Sequence, residues 1–424
     1  MTKTLRTSLL FAAMAVLPVL AALWIVSFED YAKFYDNHLM DIRLYAKTSA
    51  QWFSGMWPYR DFPLEYPPFA LAAFALPRAL AFGADISERT YIRLFLLQNL
   101  AFAALIVWMV SSLLPAGQKS RALRGMALLL VISSPIWPWR YDMFPALLTM
   151  AGMYCLLRRK SALAGVWLGL GIAAKLYPVV ALLGCAAWLA GQKQWKPLVR
   201  LALAATVAAT AVTLPFILQA PQQWLTFLEY HRARGLQIES PLGGLVELGG
   251  LLGLTTVKPT FNYGAFHLIS NWADIALRLQ LPLFAIVTGA CLYLLWRRFR
   301  IVSEATNAQD LAEAVLVMLL AFIVTNKVFS AQYVVWLLPF VPLIEYKMIA
   351  RFIVMFALTM AIFPYLYGPL VMAMPAAVIV LNARNLLAVT LIGTLLRTRN
   401  PLRQALPQLS AKLQPTEVPG VLSR

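Results

Sequence analysis

Residues 66–83 read YPPFALAAFALPRALAFG. The run is apolar enough to enter a bilayer, but Pro67 and Pro68 open it, Pro77 interrupts it and Arg78 sits inside it. Proline removes a backbone donor and clashes with the preceding turn, which makes this a poor continuous span. The fate of the run decides the topology. Short basic connectors follow it at Lys119/Arg121/Arg124, Arg158/Arg159/Lys160, Lys193/Lys196/Arg200, Arg297/Arg298/Arg300 and Lys347/Arg351. If 66–83 crosses the membrane, all of them fall on the side the positive-inside rule disfavours. If it stays at one interface, all become cytoplasmic. The second arrangement is the consistent one, so 66–83 reads as interfacial or re-entrant.

Hydrophobic residues make up 61% of the 424, charged residues 13%, and the mean hydropathy is +0.71. A soluble chain would be about 45–50% apolar and about 25% charged. Repeated apolar runs near the roughly 20 residues that cross a bilayer define an all-α polytopic membrane protein. The formal net charge of +18 resides largely in the connectors, which argues against a nucleic-acid-binding face. Cys155, Cys185 and Cys291 stand singly in apolar runs, with no disulfide framework or thiolate metal site between them.

The apolar run at 7–27 is too long for a signal peptide and reads as the first span, leading outward. Later spans are expected at 91–114, 125–137, 142–157, 162–174, 176–190, 197–219, 281–299, 311–328, 331–345, 349–364 and 384–397. That is a bundle of about twelve helices in a single transmembrane domain over 1–400, followed by a basic cytoplasmic tail at 401–424. Two long segments, 28–90 and 220–280, fall on the outer face, and the inner loops are short. No internal duplication is visible. Chemically rich loops on one side suit a membrane enzyme better than a symmetric transporter, which usually shows repeated halves.

The first outer segment holds Asp36, Asp41, Asp61 and Glu65 within 36–68. Asp41 and Tyr45 are four apart and share a face of any helix there. Polar residues recur at the other outer ends: Arg140-Tyr141-Asp142, Lys175-Leu-Tyr177-Pro178, Glu229-Tyr230-His231-Arg232-Ala-Arg234, Gln237-Ile-Glu239-Ser240, Asn326-Lys327, Gln332-Tyr333 and Asn382-Ala-Arg384. Acids in one loop and cations at several helix ends suit transfer from a phosphorylated lipid. A leaving phosphate needs fixed positive charge, and an attacking hydroxyl needs one carboxylate to take its proton. A hydrolase with a poor leaving group would need a second, protonated carboxyl.

Each residue has a plainer reading beside this one. Asp41 caps or solvates an interfacial helix; Lys175 snorkels to the headgroups; Lys327 and Arg384 do the same. His231 lies beside two arginines, a poor setting for a metal ligand, and His38 and His267 are isolated. No His/Asp/Glu cluster stands at ligand spacing, Asp36 and Asp41 being the one pair able to share an ion, so neither a metal nor a cofactor is expected.

With these residues in hand, the chain resembles the GT-C class of integral-membrane glycosyltransferases, and within it the bacterial polyprenyl-phosphate-mannose-dependent mannosyltransferases of glycosyltransferase family 87. The resemblance rests on Asp41-x-x-x-Tyr45, Gly55-x-x-Pro58-Tyr59, Glu65-Tyr66-Pro67-Pro68, Arg140-Tyr141-Asp142, Lys175-x-Tyr177-Pro178, Arg234-Gly235-Leu-Gln237-Ile-Glu239-Ser240 and Ser330-x-Gln332-Tyr333-x-x-Trp336-x-x-Pro339. It implies a GT-C bundle with its site at the outer face of a bacterial plasma membrane, a polyprenyl-phospho-sugar donor, an inverting mechanism and Asp41 as the base. Many GT-C enzymes carry a close acidic pair in the first loop. Here Asn37-His38 precede Asp41, and Asp36 is five residues away.

Position, rather than resemblance, ranks the phosphate-holding cations as Lys175, Arg140, Arg234 and Lys327. Tyr45, Tyr59, Glu65, Asp142, Tyr177, His231, Glu239, Gln332 and Arg384 are the expected substrate contacts. The implied partners are the lipid-linked donor, a lipid or glycan acceptor and membrane lipids, with no nucleic acid. A transporter or flippase of a lipid-linked sugar is the rival reading, and a catalytically silent assembly partner a third.

Overall fold

The computed structural model describes residues 13, 16–28, 30–83, 85–301 and 307–397, apart from the side chains of 32–38. The start of the expected first span, the Asp36 and His38 side chains and the tail at 401–424 lie outside the described residues. In chain order the helices begin with α1 (Val16–Ile25), α2 (Tyr31–Phe53), α3 (Ala70–Leu80), α4 (Glu88–Leu113) and α5 (Ala116–Ile132). Next come α6 (Met143–Leu157), α7 (Ser161–Ala174), α8 (Pro178–Gly191), α9 (Trp195–Gln219), α10 (Thr226–Ala233) and α11 (Pro241–Leu251). The last are α12 (Asn271–Ile301), α13 (Ala308–Thr325), α14 (Val334–Leu337), α15 (Tyr346–Met360), α16 (Tyr367–Val371) and α17 (Pro375–Arg397).

Among the described residues six helices are long and apolar enough to cross a membrane: α4, α9, α12, α13, α15 with its continuation to Tyr365, and α17. The remaining apolar helices are shorter, 10–17 residues, and so are those at the expected short spans 125–137 and 162–174. The polar 220–280 segment departs from pure helix. Three short antiparallel strands, β1 (Leu236–Gln237), β2 (Lys258–Asn262) and β3 (Ala265–Ile269), form a sheet in the order β1-β3-β2. Tyr263 and Gly264, both at positive φ (48° and 71°), close the two-residue turn between β2 and β3.

Several boundaries move for identifiable reasons. The 28–90 segment is no open loop: α2 and α3 occupy much of it. The 11-residue α3 is about 16 Å long, too short to span. It packs onto the first turns of α4, where the Tyr91 hydroxyl donates to Phe74 O (2.8 Å) and Gln98 Nε2 to Ala73 O (3.1 Å). The expected span at 331–345 is broken into a 3-10 turn, the four-residue α14 and a second 3-10 turn, Val341–Leu343. Pro339 and Pro342 forbid a regular helix there. The broken backbone is tolerated because it is sheathed in protein, not lipid. α17 begins at Pro375 instead of 384, which moves Arg384 from a helix end to a buried mid-helix position.

The core runs around α13, which is buried along almost its whole length and packs against α8, α12 and α17. α7 and α9 approach closely enough that a Cβ on Gly165 or Gly169 would lie 2.3 Å from Leu201 O or 2.2 Å from Ala205 O. At the end of the bundle that holds the basic connectors, Arg298 ties three helices together. Its Nη2 lies 2.6 Å from Glu313 and 3.2 Å from Asp310, and its Nη1 donates to Leu395 O at 3.0 Å.

Removing one partner of a buried ion cluster strands the others. Arg298→Ala should cost roughly 3–5 kcal/mol, whereas Arg43→Ala, which breaks the exposed Arg43–Glu88 pair, should cost about 1 kcal/mol or less. Unfolding midpoints of the two variants in nanodiscs check this; equal shifts would contradict the structural weight given to the cluster.

Candidate active site

The end of the bundle opposite the connectors opens into a cavity of about 860 Å³. Its wall draws on α2, the 65–67 turn, the entries to α6 and α8, α10, the small sheet, the segment after α13, and the bend before α16. Asp41, Glu65, Arg140, Lys175, Tyr177, His231, Arg234, Glu239, Lys327 and Gln332 all line it. Residues up to 291 apart in sequence therefore meet in one space.

Asp41 reaches the cavity because α2 turns that face inward, while Tyr45, one turn on, is buried beneath it and stacks on Phe74 with ring centroids 4.4 Å apart. Asp41 Oδ2 lies 2.8 Å from Arg140 Nε. Arg140 follows a 3-10 turn, Trp137–Trp139, whose carbonyls are gathered by one buried side chain. Asn99 Nδ2, on α4, donates to Pro138 O at 2.9 Å and to Arg140 O at 3.0 Å. Asn99 was not among the sequence candidates; its one signal is being a polar residue in the middle of an apolar run.

Asp142, fully buried at the entry to α6, accepts from Lys175 Nζ and from Trp336 Nε1, both at 2.6 Å. Lys175 lies over the Tyr141 ring, 4.6 Å from its centroid, and Trp336 is sandwiched between Tyr177 (4.3 Å) and Tyr333 (3.8 Å). Asp142 and Tyr45 are thus supports for the cavity and not part of its lining. Tyr59 and Arg384 are in the same position. The Tyr59 hydroxyl donates to Tyr66 O, and Arg384 Nη2 donates to Glu239 O at 2.6 Å from beneath.

The four expected phosphate-holding cations are not equivalent. Arg140 and Lys175 already face carboxylates, and Lys327 Nζ is held by the carbonyls of Arg232 (2.9 Å) and Arg234. Arg234 forms no ion pair among the described residues, and its Nε has no protein partner. It sits centrally: its charge lowers the pKa of His231, His267 and Lys327 and opposes the rise at Glu65. Of the four, Arg234 is the one whose guanidinium is engaged neither by a carboxylate nor by a carbonyl in any contact seen among the described residues.

Burial shifts several titratable groups in and around the cavity towards their neutral forms. Desolvation, helped by Arg234, Lys175 and Lys327, lowers His231 to about 4, and burial with Arg234 does the same for His267. Burial pushes Glu65 up, against a hydrogen bond with Tyr230, and Asp41 adds to the rise. Burial carries Glu239 up to about 7 despite the neighbouring Arg384, and Glu247 likewise to about 7. Among the described residues no group of three or more His, Cys, Asp or Glu is placed to hold a metal ion.

This is a polytopic helical membrane protein with a mixed acidic and basic cavity at one end of its bundle. A family model for "Glycosyltransferase family 87" matches residues 64–326, and the chain belongs to that family. No curated protein sequence matches. Among solved structures it is similar to ArnT from Cupriavidus metallidurans bound to undecaprenyl phosphate, at 16% identity over 98% of this chain and 82% of that one, with a TM-score of 0.43. The apo state of ArnT aligns at 16% identity over 88% and 75%, with a TM-score of 0.38.

Opposite pH dependences follow from the two kinds of buried group. A histidine titrating at about 4 when folded and 6.5 when unfolded makes the protein lose stability as pH falls from about 6.5 to 4. A glutamate titrating at about 7 when folded and 4.5 when unfolded makes it lose stability as pH rises from about 4.5 through 7. His267→Gln should flatten the acid-side loss and Glu239→Gln the loss towards neutral pH. Melting midpoints across pH 4–8 test both; curves parallel to wild type would contradict the assignment.

Proposed function

We propose that this glycosyltransferase moves a sugar from a polyprenyl-phosphate carrier to a lipid or glycan acceptor at the outer face of a bacterial plasma membrane. The observation that carries the reading is one membrane-end cavity in which the Asp41–Arg140 pair and Arg234 share the walls. Membership of family 87 supplies the reaction class. The resemblance of the ordered motifs favours mannose as the sugar, and the gathering of basic connectors at the opposite end favours the outward orientation.

In this reading the donor phosphate lies against Arg234, with Lys175 and Lys327 adding to the local positive potential. Asp41 accepts the proton of the acceptor hydroxyl, and Arg140 holds the carboxylate in place while it does so. The acceptor oxygen forms its bond to the anomeric carbon as the bond from that carbon to the phosphate oxygen breaks. The electron pair leaves with the phosphate, whose growing charge Arg234 offsets. A phosphate leaves without protonation, so one base is enough. The aromatic rings of Tyr66 and Tyr230 at the cavity offer surfaces for a sugar ring.

Transfer from a radiolabelled polyprenyl-phospho-sugar in nanodiscs tests the proposal. Asp41→Asn should reduce turnover roughly 100-fold or more while still binding donor, and Arg234→Ala should weaken donor binding itself. Donor translocation across vesicles that survives Asp41→Asn, with no transfer by wild type, would point to a flippase instead.

A further inference from the structure

The chain reaches Glu239 along a path that leaves its carboxyl little freedom. Leu236 and Gln237 pair with β3, and the Gln237 amide N–H donates to Lys327 O at 2.9 Å. Ser240 then caps α11, its Oγ accepting from Gly243 N at 3.0 Å, with Pro241 in the first helical turn. A Cβ on Gly243 would sit 2.4 Å from Gln237 O, so the turn closes this tightly only with glycine. Arg384 Nη2 takes the Glu239 carbonyl from below. The backbone around Glu239 is therefore set by three elements at once.

The neighbouring side chain is locked as well. Gln237 Oε1 accepts from Phe329 N at 2.9 Å, which fixes the amide's orientation. Its Nε2 spends its two hydrogens on Glu239 Oε2 (3.0 Å) and Ser330 Oγ (3.1 Å). One oxygen of Glu239 is thereby accounted for. The other, Oε1, has no partner among the described residues, although the side chain is 97% buried and borders the cavity. A buried carboxyl oxygen without a partner is costly, and such a group in a rigid setting invites a ligand hydroxyl. The adjoining wall carries no free carboxylate: Gln237, Ser330, Tyr333 and Tyr367 border the same part of the cavity.

We infer that Glu239 is a specificity-determining residue whose Oε1 hydrogen-bonds a hydroxyl of the transferred sugar. The inference rests on the functional reading above and deepens it, assigning the sugar to the Gln237–Glu239–Ser330 wall and leaving the Asp41 side to the acceptor. Burial, which lifts this carboxyl up to about 7, lets it donate as well as accept. The sugar class that fits is a hydroxyl-rich hexose, because Glu239 Oε1 and the polar side chains beside it offer partners for its hydroxyls. Arg384 acts behind it as a positioning residue through the Glu239 carbonyl.

The test uses full-length protein in nanodiscs, short-chain prenyl-phospho-hexose, its monodeoxy analogues and bare prenyl phosphate. Binding is measured for wild type, Glu239→Gln and Glu239→Ala, with transfer to a lipid extract as a second readout. One monodeoxy analogue should bind wild type roughly 10-fold or more weakly, and Glu239→Ala should bind that analogue and the parent hexose alike. The isosteric Glu239→Gln, which keeps the packing, should retain part of the discrimination. Penalties for every analogue that are the same in wild type and Glu239→Ala would overturn the inference. Hexose discrimination that depends on Glu239 without any transfer would uphold the contact and count against the enzyme reading instead.

Discussion

The buried Asp142 carboxylate is the interaction on which the cavity depends. An ionised carboxylate shut away from water is very costly unless it is paired and hydrogen-bonded. Asp142 meets that demand with Lys175 from the α7–α8 junction and Trp336 from the broken helix after α13. Satisfying one carboxylate therefore pins together the entry to α6, the entry to α8 and α14. Trp336 in turn brings Tyr177 and Tyr333 into a stack that forms one wall. Nothing about this anchor requires that it touch substrate; its work is to set the shape of what does.

The same logic sorts the cations. A lysine held against a buried carboxylate and two aromatic rings is largely committed to the fold, and an arginine ion-paired to Asp41 serves that carboxylate first. Lys327 secures the chain after α10 through two carbonyls. In the proposed reading an anionic ligand is left to Arg234, whose carbonyl is held by that clasp. The site holds one carboxylate, Asp41, paired with Arg140, and one arginine, Arg234, with no ion pair among the described residues. That is a suitable arrangement for passing a group between a hydroxyl and a phosphate.

Much of this was legible in the sequence, and what was not has physical causes. Apolar runs and basic connectors located α6, α7, α8 and α9 closely, because period and charge report directly on lipid contact. The spacing of Asp41 and Tyr45 correctly placed both on one helix. The warning that 331–345 would break lay in Pro339 and Pro342, but the apolar run around them masked it, since a run packed wholly inside protein reads like one packed in lipid. It also misplaced Arg384, whose helix starts nine residues earlier at Pro375. The short strands around Gln237 and His267 carry too few residues for an alternating pattern to register. Nor could the pairing of Lys175 and Trp336 with Asp142 be read there, since partners 33 and 194 residues away are set by tertiary contact alone.

The most direct test of this account is a structure of the protein with a non-transferable polyprenyl-phospho-sugar analogue bound. The account predicts the phosphate within hydrogen-bonding distance of Arg234, the sugar ring beside Glu239, the anomeric carbon facing Asp41, and the Lys175–Asp142 pair intact. A phosphate seated on Lys175 with that pair broken, or a sugar turned away from Asp41, would contradict it.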